Sequence, residues 1–197
     1  MSELKNICVY CGSAEGVDPV FMNVAEELGT AMAKAGVGLV YGGGNHGLMG
    51  AVARAAIAHG GRVTGIIPDF LRQKENMLTS VQDLHIVPDM HTRKQMMFEK
   101  ADAFVALPGG IGTLEELVEQ LTWVQLQRHR KPVLLADISG FWQPLLSLLG
   151  HMREQGFIRP SAEVVTLVTP KVEAIIPMLR AAVAASAAPD KTLLPGL

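Results

Sequence analysis

The chain has 197 residues, of which 49% are hydrophobic and 18% charged, with a formal net charge of −2. That is enough apolar material for one core and too little charge for a disordered chain. No run of lysine and arginine offers the footprint of a nucleic-acid binder, and no apolar stretch reaches the roughly 18 residues of a membrane span. The opening residues lack the apolar core of a secretory signal, so a soluble, cytoplasmic protein is expected, with no nucleic-acid or membrane partner. One domain is expected over residues 1–184, followed by a loose tail over 185–197, where small residues, Pro189 and Pro195 break all periodicity.

The first predicted strand spans residues 7–10 and runs into Cys11-Gly12-Ser13. Cys8 and Cys11 are the only cysteines, and three residues apart on an extended chain they point to opposite faces, a poor geometry for sharing a metal. A helix follows, with Asp18 as N-cap, Pro19 at its first position and apolar residues at Val20, Val24, Leu28, Ala31 and Met32. The second strand, 37–41, leads into Gly42-Gly43-Gly44-Asn45-His46-Gly47 and a helix carrying Leu48, Val52, Ala55 and Ala56 that stops at Gly60-Gly61. Strands at 63–67 and 85–87 come next, then a helix from Asp89 through Met97, a strand at 103–107 and the turn Pro108-Gly109-Gly110-Ile111-Gly112-Thr113. A helix with Leu114, Leu117, Val118 and Leu121 follows that turn, and further strands are expected at 133–136 and 164–168. Alternation of this kind requires crossovers. It predicts an α/β fold: a doubly wound, Rossmann-like parallel sheet of about seven strands with helices on both faces.

Ligands of such sheets bind at the carboxyl ends of the strands, and three strand-to-helix junctions there carry glycine or serine. They contribute Gly12 and Ser13, Gly43 and Gly44, and the turn from Gly109 to Thr113. The junction at Gly42 satisfies G-x-G-x-x-G, and Asp69 follows Gly47 by 22 residues, but it falls after Pro68 and beyond the strand end. A smaller nucleotide, or tight packing of helix on sheet, accounts for these glycines better than a dinucleotide does. At Pro108 the glycine amides, the Thr113 hydroxyl and the positive end of the next helix can converge on a phosphate. Glu115 and Glu116 are expected in the first helical turn. They either offset the helix dipole or face the cleft, where one acts on a sugar rather than on the phosphate that would repel it. Arg93 shares an apolar face with Met90 and Met97 and therefore needs a partner, either a structural glutamate, a catalytic carboxylate or an anionic substrate. The six histidines show no metal-ligand spacing, and no cofactor is expected.

Taken together, Pro-Gly-Gly-Ile-Gly-Thr-Leu-Glu-Glu at 108–116, Met-His-Thr-Arg-Lys at 90–94 and Tyr-Gly-Gly-Gly-Asn-His-Gly-Leu-Met-Gly at 41–50 closely resemble the Lonely Guy family. Its members are cytokinin riboside 5′-monophosphate phosphoribohydrolases, often mislabelled as lysine decarboxylases. The resemblance implies that Glu116 and Arg93 form a catalytic pair. It also implies that Glu75, Arg93, Lys94, Gly110, Ile111, Gly112, Thr113, Leu114, Glu115, Glu116 and Thr122 contact the nucleotide. A homodimer with each active site near the partner subunit is implied as well. The chain departs from the family pattern at Ile111, where tyrosine is common, and at Asn45 and His46, where a Ser-Val pair is common. A nucleosidase acting on AMP and a nucleotide-sensing or molybdenum-cofactor carrier stay open as alternatives.

Overall fold

Side chains from Ile7 to Cys11 show how the molecule divides its interior. Ile7, Val9 and Cys11 join one apolar cluster, while Cys8 and Tyr10 join another on the opposite side. A strand with both faces covered is the mark of a parallel sheet between two helical layers. In the computed structural model, which describes residues 3–72, 76–159 and 166–186, that strand is the centre of the sheet.

Among the described residues the strands are β1 (Asn6–Tyr10), β2 (Gly38–Tyr41), β3 (Val63–Pro68), β4 (Asp83–Val87), β5 (Ala103–Ala106), β6 (Val133–Ala136) and β7 (Leu167–Thr169). They form one sheet in the order β4-β3-β2-β1-β5-β6-β7, every pairing parallel. The helices are α1 (Val20–Lys34), α2 (Gly47–Ala58), α3 (Met90–Lys100), α4 (Ile111–Gln125), α5 (Gln143–Glu154) and α6 (Val172–Ser186). α1, α2 and α6 cover one face, and α3, α4 and α5 the other. The chain winds outward from β1 to β4, then returns to the far side of β1 with β5 and winds the other way. Right-handed crossovers place the helices of the two halves on opposite faces for that reason.

The fold expected from periodicity is the one observed. β4 begins two residues earlier than expected, at Asp83. The last strand is Leu167–Thr169, and residues 164 and 165 of the expected run lie outside the described residues. α6 continues to Ser186, into the segment expected as a tail, of which 187–197 lie outside the described residues. α1 begins at Val20, one residue later than expected, with Pro19 rather than Asp18 at the N-cap; the Asp18 Oδ1 still accepts from the Val20 amide at 3.0 Å. No helix among the described residues is long and apolar enough to cross a membrane.

α1 and α2 lie close together, and the reason is side-chain size. α2 buries Ala51, Val52, Ala53 and Ala56 against Ala25, Leu28 and Gly29 of α1. A Cβ at Gly29 would collide with the Val52 carbonyl oxygen and meet the Ala55 methyl at 3.0 Å. Gly29→Ala should therefore destabilise the protein by about 1–3 kcal/mol through overpacking, outweighing alanine's higher helix propensity. Urea unfolding of the two proteins measures the difference.

Candidate active site

Strand order reverses at β1, between β2 and β5, and the loops leaving these strands meet there. Gly12 ties them together: its amide donates to the Pro108 carbonyl at 3.0 Å, and its carbonyl accepts from the Met49 amide at 3.2 Å. The three junctions singled out by their glycines thus converge. Gly47 sits at φ +52°, and a side chain on it would run into the Ala14 backbone. Gly43 sits at φ +79° against Ile67, where its carbonyl accepts from the Leu78 amide at 3.2 Å. Gly44 is buried beside it, whereas Ser13 is exposed at the rim.

The turn at Pro108 has two kinds of glycine. Gly109 is packed shut, since a Cβ there would strike the Thr113 side chain and come within 2.8 Å of the Gly12 amide nitrogen. Gly110 and Gly112 face open space, with nothing within 4 Å of an added Cβ. Between them Ile111 stands 82% exposed. The amides that open α4 have no partner within the helix, and they carry its positive dipole end. An anion can therefore approach this backbone closely. Thr113 is buried beneath Gly109, and Leu114 packs against the second apolar cluster.

Because α4 starts at Ile111, Glu115 and Glu116 stand in its second turn rather than the first. Compensation of the helix dipole fades within the first turn, so that explanation for the pair loses its force. Their environments differ. Glu115 is exposed and receives the Lys94 Nζ at 2.6 Å, while Glu116 is half-buried. Lys94 also reaches Glu119 at 3.0 Å. Burial works against its charge, but the two carboxylates outweigh it and hold the ammonium above its ordinary range.

Arg93 is 6% exposed, and its hydrogen bonds run to backbone carbonyls. Nε donates to Ile66 at 3.2 Å and Nη2 to Gly42 at 3.2 Å, with Nη1 at 3.7 Å from the Met90 sulfur. These partners were not legible from helical spacing. Gly42 must be glycine, since a Cβ would occupy the place of the guanidinium. Asp89 caps α3 through the Thr92 amide at 2.7 Å and so fixes the turn that aims Arg93 inward. Beneath lie Cys8 and Tyr10. Burial first, and then the charge of Glu116, push the Cys8 thiol up; burial, Cys8 and Glu116 do the same to the Tyr10 phenol. Both stay neutral, and the charges of Glu116 and Arg93 each act on the Cys8 thiol, in opposite directions.

One expected site residue stands apart. Thr122 is exposed, its hydroxyl donating to the Val118 carbonyl at 2.8 Å. Six residues beyond Glu116, it faces about 120° away around α4. Glu75 lies outside the described residues. Sequence reasoning passed over Gln120 and His129. Gln120 is 0% exposed, four residues after Glu116, and neither of its amide atoms has a hydrogen-bond partner among the described residues. A polar residue on the otherwise apolar stripe of Leu117 and Leu121 was the available signal.

His129 is buried between Phe98 and Phe104, with its Nδ1 accepting from the Lys131 amide at 3.1 Å. Burial, and then the Lys131 ammonium, bring its pKa from 6.5 to about 4. Between those values the unfolded chain binds the proton and the folded chain does not. Its contribution to stability is therefore present above pH 6.5 and lost as pH falls toward 4. His129→Phe should flatten the dependence of stability on pH in that window, as read from urea unfolding at a series of pH values.

Comparison with known proteins agrees with this layout. Residues 49–179 match a family described as "Possible lysine decarboxylase". The chain is 44% identical over 179 residues to a cytokinin riboside 5′-monophosphate phosphoribohydrolase of Arabidopsis thaliana, covering 90% of this chain and 82% of that one. It is 43% identical over 175 residues to a rice (Oryza sativa subsp. japonica) protein of the same name, covering 89% and 72%. Among solved structures it is similar to a molybdenum cofactor binding protein from Rippkaea orientalis, with TM-score 0.68, 22% identity and coverage of 92% and 98%. A molybdenum cofactor carrier protein from Chlamydomonas reinhardtii gives TM-score 0.67 at 22% identity, covering 92% and 99%. At that identity the likeness concerns the fold alone.

Proposed function

The chain belongs to the cytokinin riboside 5′-monophosphate phosphoribohydrolase family, and we propose that it catalyses the reaction those relatives are named for. Water adds to the anomeric carbon of an N6-substituted AMP, the glycosidic C–N bond breaks, and free base and ribose 5-phosphate leave. The observation that carries this reading is the pairing of an open glycine turn at Gly110 and Gly112 with a half-buried carboxylate on the same helix. Glu116 lies five residues past Ile111, about 7.5 Å along the axis. That offset is on the scale of a ribose, so phosphate can rest on the α4 amides while the carboxylate meets the sugar.

Departure of the base leaves positive charge on the ribose, and Glu116 stabilises that charge and directs the attacking water. Arg93 keeps Glu116 ionised. Its own partners among the described residues, the Ile66 and Gly42 carbonyls and the Met90 sulfur, carry no compensating charge. The phosphate does not react. Its binding energy holds the sugar in place, which favours monophosphates over nucleosides. Gly12, Ser13, Gly43, Gly44, Gly109 and Thr113 shape this cleft, and Lys94, Glu115 and Leu114 border it. Decarboxylation through pyridoxal phosphate would need an amine able to form a Schiff base. Lys94, beside Arg93, is instead clamped between two carboxylates that keep it protonated.

Incubation with isopentenyladenosine monophosphate should yield ribose 5-phosphate and free base by chromatography, at a higher rate than from AMP. Glu116→Gln should lower turnover roughly 10²–10⁴-fold. Turnover near that of the unaltered protein would remove Glu116 from the mechanism.

A cytoplasmic homodimer fits the same reading. α5 has no fully buried residue, and Met152 and Phe157 stand exposed beside Val118 of α4 around a cleft of about 330 Å³. Thr122 lines that cleft, facing away from Glu116 of its own chain, so its nucleotide contact is made to the partner's substrate. Phe157→Asp should convert the dimer to a monomer in light scattering and reduce turnover with it.

A further inference from the structure

α3 carries Arg93 and α4 carries Glu116, and the seam between these helices is built from side chains next to each of them. Lys94 follows Arg93 in the chain. Its ammonium donates to Glu115 at 2.6 Å and to Glu119 at 3.0 Å, one residue before and three after Glu116. Four residues further along both helices, Phe98 packs edge-on against Trp123, with ring centroids 5.1 Å apart. The seam is thus apolar toward the helix C-termini and ionic near their N-termini, beside the cleft.

Glu119 has no part in the hydrolysis proposed above, yet it is tied into this seam more firmly than a surface acid. Only 22% of its side chain is exposed, against 52% for Glu115. Its Oε2 is buried with no hydrogen-bond partner among the described residues. A carboxylate so placed depends on Lys94, since its burial without that cation would leave a charge uncompensated. Glu116 and Glu119 both push up the Tyr10 phenol, so both carboxylates lie near the same floor.

Helix geometry turns this grip into a constraint on Glu116. Glu115 and Glu119 are one turn apart, about 6 Å along the axis of α4, and one ammonium bonded to both resists sliding and rotation of the helix. Glu116 stands about 60° around that axis from Glu119. On α3, Arg93 is held to the sheet by the Ile66 and Gly42 carbonyls. Loss of the grip would let α4 turn, and Glu116 would swing with it.

We infer that Lys94 and Glu119 are positioning residues: their ion pair locks α4 against α3 so that the Glu116 carboxylate faces the anomeric carbon. Lys94 acts through that carboxylate rather than on the nucleotide. The role rests on Glu116 acting in the hydrolysis proposed above.

The test measures ribose 5-phosphate release from isopentenyladenosine monophosphate, with thermal unfolding alongside. It compares the unaltered protein, Glu119→Gln, Lys94→Met, these two together, and the exchange of Lys94→Glu with Glu119→Lys. Each single variant should lower kcat about tenfold, the scale of a small misplacement of a catalytic group, with KM little changed. Together they should lose no more than either alone, and the exchange should recover kcat above that of Lys94→Met. Glu119→Gln keeps the shape of its side chain, so its melting temperature should stay close to that of the unaltered protein. Should Lys94→Met fail to fold, the kcat of Glu119→Gln decides. Undiminished kcat in Glu119→Gln, additive losses in the double variant, a KM raised by Lys94→Met alone, or an exchange no faster than Lys94→Met would each overturn the inference. Should the unaltered protein release no ribose 5-phosphate, the hydrolase reading itself fails, and this one with it.

Discussion

Everything at the site takes its position from the backbone of Gly12. One residue joins the junctions that follow three strands, its amide donating to Pro108 and its carbonyl accepting from Met49. The approach leaves little room: an added Cβ would lie 3.3 Å from both the Gly109 Cα and the Ala14 oxygen. This contact sets where α4 begins relative to α2, and hence where the open amides at Gly110 and Gly112 stand relative to Gly42. Gly42 in turn holds Arg93. A chain of backbone contacts, rather than any side-chain pair, registers the cleft.

Neighbouring cations on α3 meet opposite fates. Lys94 is neutralised by Glu115 and Glu119, whereas Arg93 is solvated by the carbonyls of Ile66 and Gly42. The carbonyl dipoles accept from Nε and Nη2 of the guanidinium without cancelling its charge. Raising both the Cys8 thiol and the Tyr10 phenol keeps the floor beneath it uncharged.

Most of the architecture was legible because it rests on short-range patterns. The period of two in β1 and of about 3.6 in α1, α2 and α4 marks which faces are buried, and glycine at strand ends marks the cleft. What escaped reading depends on contacts distant in the chain or on one-residue boundaries. Arg93 bonds to carbonyls 27 and 51 residues away, and a carbonyl carries no residue identity for a motif to record. The start of α4 at Ile111 follows from how Gly109 packs on Thr113, and that shift changes the meaning of the two glutamates. Gln120 interrupts an apolar stripe, but only the fold shows it buried with no hydrogen-bond partner among the described residues.

The centre of the sheet is supplied by its first strand in chain order. β1 pairs with β2 early, but its other neighbour, β5, begins at Ala103, and Pro108 follows it. During synthesis from the amino terminus, one edge of β1 must wait for about a hundred residues to emerge. Until then β1 to β4 are a half-sheet with an uncovered apolar face and unpaired backbone, the state most open to mispairing. The strand that docks to end this exposure also delivers the turn at Pro108, so completion of the fold and assembly of the cleft are one event.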